Sequence, residues 1–209
     1  AVIYYTLDGG TPSDKAAKYD KEITLAKSAA VKAIAVKDGF ENSDVAVKDV
    51  KLVLDKPVIK VSGNKVTITA EDGAVIYYTL DGGTPSDKAA KYDKEITLAK
   101  SATVKAIAVK DGFENSDVAV KEVKLTAATP VISVKDGTAA ITTATAGADI
   151  YYTTDGSAPT AKSSKYVKPF FIADGVKVLK AIAVKTGYEN SAAASADVPA
   201  VVTQAIKTK

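Results

Sequence analysis

The chain contains an almost exact internal duplication. Residues 1–52 can be laid over residues 74–125 at an offset of 73. Two aligned pairs differ, Ala30 against Thr103 and Asp49 against Glu122. This period is too long for a solenoid unit, whose repeats run about 20 to 50 residues. Each copy is long enough to form a small domain, so the duplication predicts modules in series.

A third, more diverged copy follows the first two. Residues 150–159 match residues 76–85 at an offset of 74, and residues 180–185 match residues 105–110 at an offset of 75. One residue has therefore been inserted between the matched segments. The predicted domains are residues 1–54, a copy without its first hairpin; residues 55–127, a complete copy; residues 128–200, the diverged copy; and a tail at residues 201–209.

The pattern inside the complete copy is that of β-strands. Apolar and polar residues alternate, which places Val66, Ile68 and Ala70 on a buried face. A Gly-Asn turn before them predicts a hairpin of residues 57–62 and 65–70. Further strands are predicted at residues 74–80, 95–98, 103–110 and 118–125. Short strands separated by turn signals are typical of an all-β sandwich.

The strand at residues 103–110 is apolar on both faces. Val104, Ala106 and Ala108 are predicted to point inward because alternate residues share one face of a strand. Ile107 and Val109 would then point outward and form a small exposed patch. Such a patch suits packing between neighbouring domains better than it suits a ligand.

The third copy also carries a motif that resembles a known family. Residues 151–160, followed by residues 164–166 and 180–190, are similar to the repeat named after the C-terminal domain of chitobiase and β-hexosaminidase. The resemblance covers nearly the whole chain, in all three copies, and implies tandem fibronectin-III-like or immunoglobulin-like β-sandwiches in an extended array. It also implies a bacterial secreted or cell-surface protein, because family members serve mainly as spacers, adhesin stalks and accessory modules. It carries over no catalytic residue.

Composition argues against several other function classes. The chain has no His, Cys, Met or Trp, and all 28 of its basic residues are lysines. Imidazole bases, thiolate nucleophiles and disulfides are therefore absent. A net charge of +3 without arginine argues against a nucleic-acid partner, and no apolar stretch reaches the roughly 18 residues of a membrane span. We expect no enzyme, no cofactor and no membrane insertion.

Paired carboxylates in the Asp-Gly-Gly loops raise the question of calcium. The candidates are Asp8 and Asp14 in the first copy and Asp81 and Asp87 in the second. Carboxylates together with loop carbonyls could hold Ca²⁺. The alternative is a turn in which Asp caps the backbone and Gly takes a positive φ. The third copy keeps only Asp155, which favours the turn, and no metal is expected.

A pair of tyrosines recurs in each copy. Strand alternation directs one ring of each pair toward the core and the other toward the outside. The outward rings are assigned to Tyr4, Tyr77 and Tyr151. An outward ring could stack on a sugar, which makes a carbohydrate-binding accessory module the alternative function. The other interpretation is that the ring covers the sheet or packs at a domain junction, and the absence of Trp favours it.

A recurrent asparagine raises the question of a covalent cross-link. Asn42, Asn115 and Asn190 recur with the repeat, and lysine-rich sandwich arrays sometimes join Lys to Asn beside a buried acid. The Gly-aromatic-Glu-Asn setting favours a turn instead.

The two ends of the chain do not match each other. The first copy starts at its Tyr-Tyr strand, whereas Pro199 restarts the pattern that opens a repeat. Either the chain is a window from a longer array, or a strand is supplied in trans. The candidate donor strand contains Val198, Ala200, Val201 and Val202, and a head-to-tail contact of this kind would build a fibre.

These features together predict a non-catalytic stalk, spacer or fibre-forming segment of a secreted or cell-surface protein. Its expected partners are another copy, another cell-surface protein or a glycan.

Overall fold

The computed structural model describes residues 1–199, in which every regular element is a β-strand and none is a helix. This range accordingly contains no helix that is long and apolar enough to cross a membrane. The chain divides into two compact units. The first contains Ala1–Ile96 and Thr103–Lys121, and the second contains Thr97–Ala102 and the chain from Glu122 onward.

The first unit is built from three antiparallel sheets. Its strands are β1 (Val2–Thr6), β2 (Ala17–Lys18), β3 (Ala29–Val36), β4 (Ala46–Val50), β5 (Val58–Ser62), β6 (Lys65–Thr69), β7 (Val75–Thr79) and β8 (Ala90–Lys91). Three strands cross its boundary, β9 (Ile96–Thr97), β10 (Ala102–Val109) and β11 (Ala119–Val123). The strand orders are β2-β1-β3-β4, β11-β10-β7-β8 and β5-β6-β9.

The duplicated sequence forms the same sheet twice. In the first copy Tyr5 is aligned with Ala33 between β1 and β3, and in the second copy Tyr78 is aligned with Ala106 between β7 and β10. The β-branched and aromatic residues of these segments suit a pleated, half-buried surface. The same local sequence therefore gives the same strand pairing in the four-stranded sheets of both copies.

The predicted hairpin forms, and it contributes to the core. Gly63 turns the chain between β5 and β6 with a φ of 58°, which glycine adopts without steric cost. Val66 and Ile68 of β6 are buried, as are the three residues of β10 that were predicted to point inward. Two apolar sheet faces are thus removed from water, as in a β-sandwich.

The predicted exposed patch on β10 is wrong at Ile107, which is only 5% exposed. The register between β10 and β7 explains why Ile107 is buried instead of exposed. Ile107 is aligned with Tyr77 on β7, so the tyrosine ring stands beside it on the same face of the sheet. Tyr4 beside Ile34 repeats the arrangement in the first copy. The outward tyrosine thus helps to cover an isoleucine.

The second unit contains two further sheets that pack face to face. Its remaining strands are β12 (Val131–Lys135), β13 (Thr138–Thr142), β14 (Asp149–Thr153), β15 (Ser164–Lys165), β16 (Phe170–Phe171), β17 (Val178–Val184) and β18 (Ala194–Asp197). They form sheets of order β12-β13-β16 and β15-β14-β17-β18. Ile141 of one sheet and Ile150 of the other belong to one buried cluster, against which Tyr152 and Phe170 pack.

The prediction of an all-β sandwich fold is confirmed. The predicted hairpin at residues 57–62 and 65–70 is observed as Val58–Ser62 and Lys65–Thr69. The extended arrangement of the array and the domain boundaries after residues 54 and 127 stay predictions.

Candidate functional site

The turn that follows β10 presents backbone groups to a neighbouring linker. The Phe113 N–H donates to the Lys110 carbonyl at 3.1 Å, which closes the turn. The Lys110 ammonium lies 4.9 Å from the centroid of the Phe113 ring, a cation–π contact that holds the ring over the turn. Gly112 has a φ of 77°, which a residue with a Cβ adopts only with strain.

Three backbone hydrogen bonds join this turn to the first copy, one to the residue before β3 and two to the linker at its end. The Ser28 N–H donates to the Gly112 carbonyl at 2.7 Å. The Glu114 N–H donates to the Leu52 carbonyl at 2.8 Å, and the Leu54 N–H donates to the Glu114 carbonyl at 3.2 Å. We call this set of contacts the first joint. It fixes the linker between residues 52 and 54 as a short parallel bridge beside the turn.

Side chains reinforce the first joint. The Lys51 ammonium lies 2.6 Å from Glu114 Oε1. The hydrogen bond to Glu114, followed by its charge, raises the pKa of Lys51. The Ser28 hydroxyl accepts the Leu52 N–H at 3.0 Å, and the Leu54 side chain is buried. The joint therefore combines a directional backbone pairing with an exposed ion pair and an apolar contact.

The same joint recurs inside the second unit. The Ser101 N–H donates to the Gly187 carbonyl at 2.8 Å, the Glu189 N–H to the Leu125 carbonyl at 2.8 Å, and the Ala127 N–H to the Glu189 carbonyl at 2.9 Å. The Lys124 ammonium lies 3.4 Å from Glu189 Oε1. Each donor and acceptor is the repeat equivalent of a residue in the first joint. We call this set the second joint.

Close approach explains why both joints use a glycine. A Cβ at Gly112 would lie 2.6 Å from the Cβ of Lys27, and a Cβ at Gly187 would lie 2.6 Å from the Cβ of Lys100. Gly39, the equivalent in the first copy, has the same positive φ but nothing within 4 Å of an added Cβ. The Phe40 ring beside it is 67% exposed. The turn at residues 39–41 therefore has no linker docked on it within the described chain.

Sequence reasoning missed the joints because their partners are far apart in the chain. Ser28 and Gly112 belong to different copies, and no local pattern pairs them. One signal was available, since Lys51 and Lys124 precede the short linkers while Glu114 and Glu189 follow the glycine of the next copy. This complementary charge pair recurs with the repeat.

The outward tyrosines are half-buried rather than fully exposed. Tyr77 stands between Ile107 on β10 and Lys91 on β8, and Tyr4 and Tyr151 occupy the same position in their sheets. Their sequence neighbours form the inward aromatic contacts. Tyr152 stacks on Phe170 with ring centroids 4.6 Å apart. The glycan hypothesis for the outward rings stays a prediction.

The Asp-Gly-Gly loops form turns in which aspartate caps the backbone. Asp8 Oδ1 accepts the Gly10 N–H at 2.9 Å, and Asp81 Oδ1 accepts the Gly83 N–H at 2.9 Å. Asp14 and Asp87 lie in the next exposed turn. In the third copy the hydroxyl and then the N–H of Ser157 lower the pKa of Asp155 by hydrogen bonding. Residues 1–199 contain no group of three acidic side chains placed to hold a metal ion.

The remaining candidates lie at the turns and at the C-terminal end. Asn42, Asn115 and Asn190 are exposed, whereas a Lys–Asn cross-link of the kind considered requires a buried acid beside it. The Val198 N–H donates to the Lys177 carbonyl at 2.8 Å, directly after β18. The other members of the proposed donor strand, Ala200, Val201 and Val202, lie outside the described residues.

Comparison with known proteins places the chain in a family. The family model described as Fn3 associated matches residues 1–50 and 139–198, and the model described as chitobiase/β-hexosaminidase C-terminal domain matches residues 59–121. No curated protein matches the chain. Among solved structures, the chain is similar to domains 7, 8 and 9 of the S-layer protein SbsC, at 13% identity and a TM-score of 0.27, over 96% of this chain and 79% of that one.

The resemblance to the chitobiase and β-hexosaminidase C-terminal repeat is thus confirmed by the family match at residues 59–121. Because the Fn3 associated model covers just over half of the residues, the chain belongs to the Fn3 associated family.

Proposed function

We propose that this chain is a non-catalytic structural segment, a stalk or spacer of a bacterial secreted or cell-surface protein. The observation that carries the proposal is the joint that occurs twice with equivalent residues. A spacer needs successive modules held at a fixed angle, and a joint that repeats with the sequence does this at each step. Duplication of a repeat lengthens such a chain by repeating an existing joint, so no new kind of contact is required.

The chemistry of the joint fits a mechanical role. Each backbone hydrogen bond contributes a net stability of about 0.5–1.5 kcal/mol, and three of them act on a linker of only a few residues. Because a short linker leaves little slack, even modest bonds restrict its bending. The exposed ion pair of Lys51 with Glu114 contributes more to the orientation of the linker than to stability, because solvent screens it.

Three observations support a role without catalysis. The chain has no His or Cys, the described residues contain no group of acidic side chains placed to hold a metal ion, and one matched family model is a C-terminal domain of chitobiase and β-hexosaminidase. The matched families also support the proposed extracellular or cell-surface location. The donor-strand contact, a fibre and a glycan-binding role for the tyrosines stay predictions.

A distance measurement across the first joint tests the spacer role. The chain has no native cysteine, so Lys18→Cys and Lys91→Cys give two specific sites for spin labels, on β2 and β8. We expect one narrow distance distribution by pulsed electron–electron double resonance. Gly112→Ala should broaden it, because the added Cβ would lie 2.6 Å from the Cβ of Lys27.

Gly39→Ala is the matched control for this experiment. It introduces the same backbone strain at a positive φ, with no neighbour for the added Cβ, so the distribution should stay narrow. A broad distribution in the unmodified chain, unchanged by Gly112→Ala, would contradict the spacer role because the joint would not hold its modules.

A further inference from the structure

The third copy contains a cavity that adjoins the end of β14. Its volume is about 430 Å³, which lies in the range of small-molecule binding sites. Its lining includes six residues of β14, β15 and the loop between these strands, Tyr152, Thr154, Asp155, Lys162, Ser163 and Ser164. All six have a polar atom in the side chain. We call this space the third-copy cavity.

Three lining residues differ from the first two copies in the same chemical direction. Each places a hydroxyl where those copies have an apolar side chain: Thr154 for Leu7 and Leu80, Ser163 for Ala16 and Ala89, and Ser164 for Ala17 and Ala90. The strand register supports this alignment, since Ser164 is aligned with Tyr152 as Ala90 is with Tyr78. The third copy has therefore become more polar at this one place.

The turn beside the third-copy cavity does not require these hydroxyls. In the second copy Asp81 Oδ1 accepts the Gly83 N–H at 2.9 Å. In the third copy Asp155 Oδ1 accepts the Ser157 N–H at 3.0 Å. The same turn therefore forms with leucine and alanine at the three aligned positions, and the folding of the loop does not explain why the third copy has hydroxyls there.

Several polar groups of the third-copy cavity have no hydrogen-bond or ion-pair partner within residues 1–199. They are the hydroxyls of Thr154 and Ser164 and the ammonium group of Lys162. Asp155 receives both of its bonds from Ser157 on Oδ1, at 3.0 Å from the N–H and 2.6 Å from the hydroxyl. Its Oδ2 therefore stays open, and a ligand in the cavity can use all of these groups.

A second cavity adjoins the first and shares two of its residues. Its volume is about 230 Å³, and Thr154 and Asp155 line it together with Gly175 and Lys177. Lys162 lines the first cavity and Lys177 the second, so Asp155 stands at the junction between two lysines. A ligand of more than one ring can therefore occupy both cavities and contact Asp155 where they meet.

The chemistry of the lining selects a ligand with many hydroxyl groups. A sugar hydroxyl both donates and accepts, as do those of Ser and Thr, while a carboxylate accepts and an ammonium group donates. The Ser163 hydroxyl accepts the Thr160 N–H at 2.9 Å and keeps its own proton to donate. The hydroxyl of Ser157 and then its N–H lower the pKa of Asp155 by hydrogen bonding. Asp155 is thus ionised at neutral pH, which favours a neutral ligand over an anionic one.

We propose that the third-copy cavity and its neighbour bind a neutral oligosaccharide. Asp155 accepts hydroxyl groups of the ligand at the junction, and the hydroxyls of Thr154 and Ser164 bind it on the side of the first cavity. This binding activity goes beyond the spacer role, which is carried by the joints. It also differs from the hypothesis of an outward tyrosine, because Tyr151 lies on the opposite face of β14 from Tyr152.

A glycan array probed with the labelled full chain tests the proposal. The array carries neutral and acidic oligosaccharides of two to six rings. We expect neutral oligosaccharides to retain the chain. Isothermal titration calorimetry with the best of them should give one bound ligand per chain. Amide shifts in heteronuclear NMR spectra should change at residues 152–164 and 175–178.

A triple variant gives the third copy the cavity residues of the first two. It combines Thr154→Leu, Ser163→Ala and Ser164→Ala, and we expect it to fold because both other copies fold with these residues. Its denaturation midpoint, compared with that of the original chain, checks this. Loss of three hydrogen-bonding groups should raise Kd by about tenfold or more.

Two further substitutions form a matched pair at the turn. Asp155→Asn keeps an oxygen that accepts the Ser157 N–H but removes the charge, so it should also weaken binding. Asp81→Asn makes the same change at the equivalent position of the second copy and should leave Kd unchanged. Tyr151→Ala should leave Kd unchanged as well, because that ring lies on the other face of β14.

Four results would overturn the proposal. They are retention by no neutral oligosaccharide on the array, preferential retention by acidic ones, an unchanged Kd in the triple variant, and loss of binding in Tyr151→Ala together with full binding in the triple variant. None of these results alters the distance distribution expected across the first joint, so a failure of sugar binding and a failure of the spacer role are distinguishable.

Discussion

Residues 1–52 and 74–125 fold into sheets of the same order and register, yet they differ in how much apolar surface they bury. In the second copy Val104, Ala106 and Ala108 have no exposed surface, whereas Val31, Ala33 and Ala35 in the first copy keep some. The strand pairing is therefore local to the duplicated segment. The burial that stabilises it is supplied by a second sheet.

The difference also separates two contributions to stability that are usually mixed. Backbone pairing and cross-strand contacts are present in both sheets. The transfer of apolar side chains out of water goes further in the second-copy sheet than in the first. Paired substitutions at equivalent positions can therefore measure the contribution of the second sheet while the local sequence stays constant.

The largest effect is expected at an equivalent pair of leucines. Leu98 is 3% exposed, whereas Leu25 is half-buried. Leu98→Ala should lower the free energy of unfolding by about 2–5 kcal/mol, because it leaves a cavity. Leu25→Ala should lower it by about 1 kcal/mol or less, because less apolar area is lost. Chemical denaturation of the two variants beside the original chain measures both values.

The control for this pair is the conservative change to methionine at each position. Methionine keeps most of the side-chain volume, so Leu98→Met should cost about 1.5 kcal/mol or less. Equal losses for Leu98→Ala and Leu25→Ala would show that the first copy is covered in solution, which would contradict the burial difference.

A smaller effect is expected at Phe113, which lies in the turn of the first joint. Phe113 is half-buried beside the first joint, whereas Phe40 lies on the turn without a docked linker. Both rings receive a lysine cation–π contact, so substitution removes that contact in both copies. Phe113→Ala should cost about 1–2 kcal/mol in unfolding free energy through lost apolar burial, and Phe40→Ala about 0.5 kcal/mol.

The denaturation midpoint of each variant measures this difference. Phe113→Leu keeps much of the apolar volume and should recover part of the loss. A larger cost for Phe40→Ala than for Phe113→Ala would contradict the assignment of the first joint to the turn at Phe113.

The sequence predicts the parts of this fold that depend on neighbours along the chain. The Gly63 turn and the alternation around Val66 are local, and both predict the observed hairpin. The burial of Ile107 is not local, because it depends on Tyr77 across the strand pair. The joints depend on contacts between copies, such as Ser28 with Gly112. A single sequence contains no rule for such long-range partners beyond charge complementarity.

The smallest expected effect concerns the ion pair of Lys65 with Glu95 in the second copy, which has no counterpart at Glu22 within residues 1–199. The hydrogen bond and then the charge of Glu95 raise the pKa of Lys65 above its usual value of 10.5. A group whose folded-state pKa is raised contributes stability below its unfolded pKa and loses it as the pH rises through the folded value. The pair should therefore stabilise the fold at neutral pH and stop doing so when Lys65 is deprotonated.

Glu95→Gln and Glu22→Gln separate this pair from the other lysines and tyrosines that titrate at alkaline pH. The unfolding free energy of Glu95→Gln should lie below that of the original chain at pH 8 and converge with it as the pH rises past about 10.5. Across the alkaline range in which Lys65 titrates, the difference between Glu22→Gln and the original chain should stay constant, because no lysine in the described chain pairs with Glu22. A converging difference for Glu22→Gln would mean that a lysine already reaches the first sheet in solution, and the contrast between the two copies would then disappear at this edge.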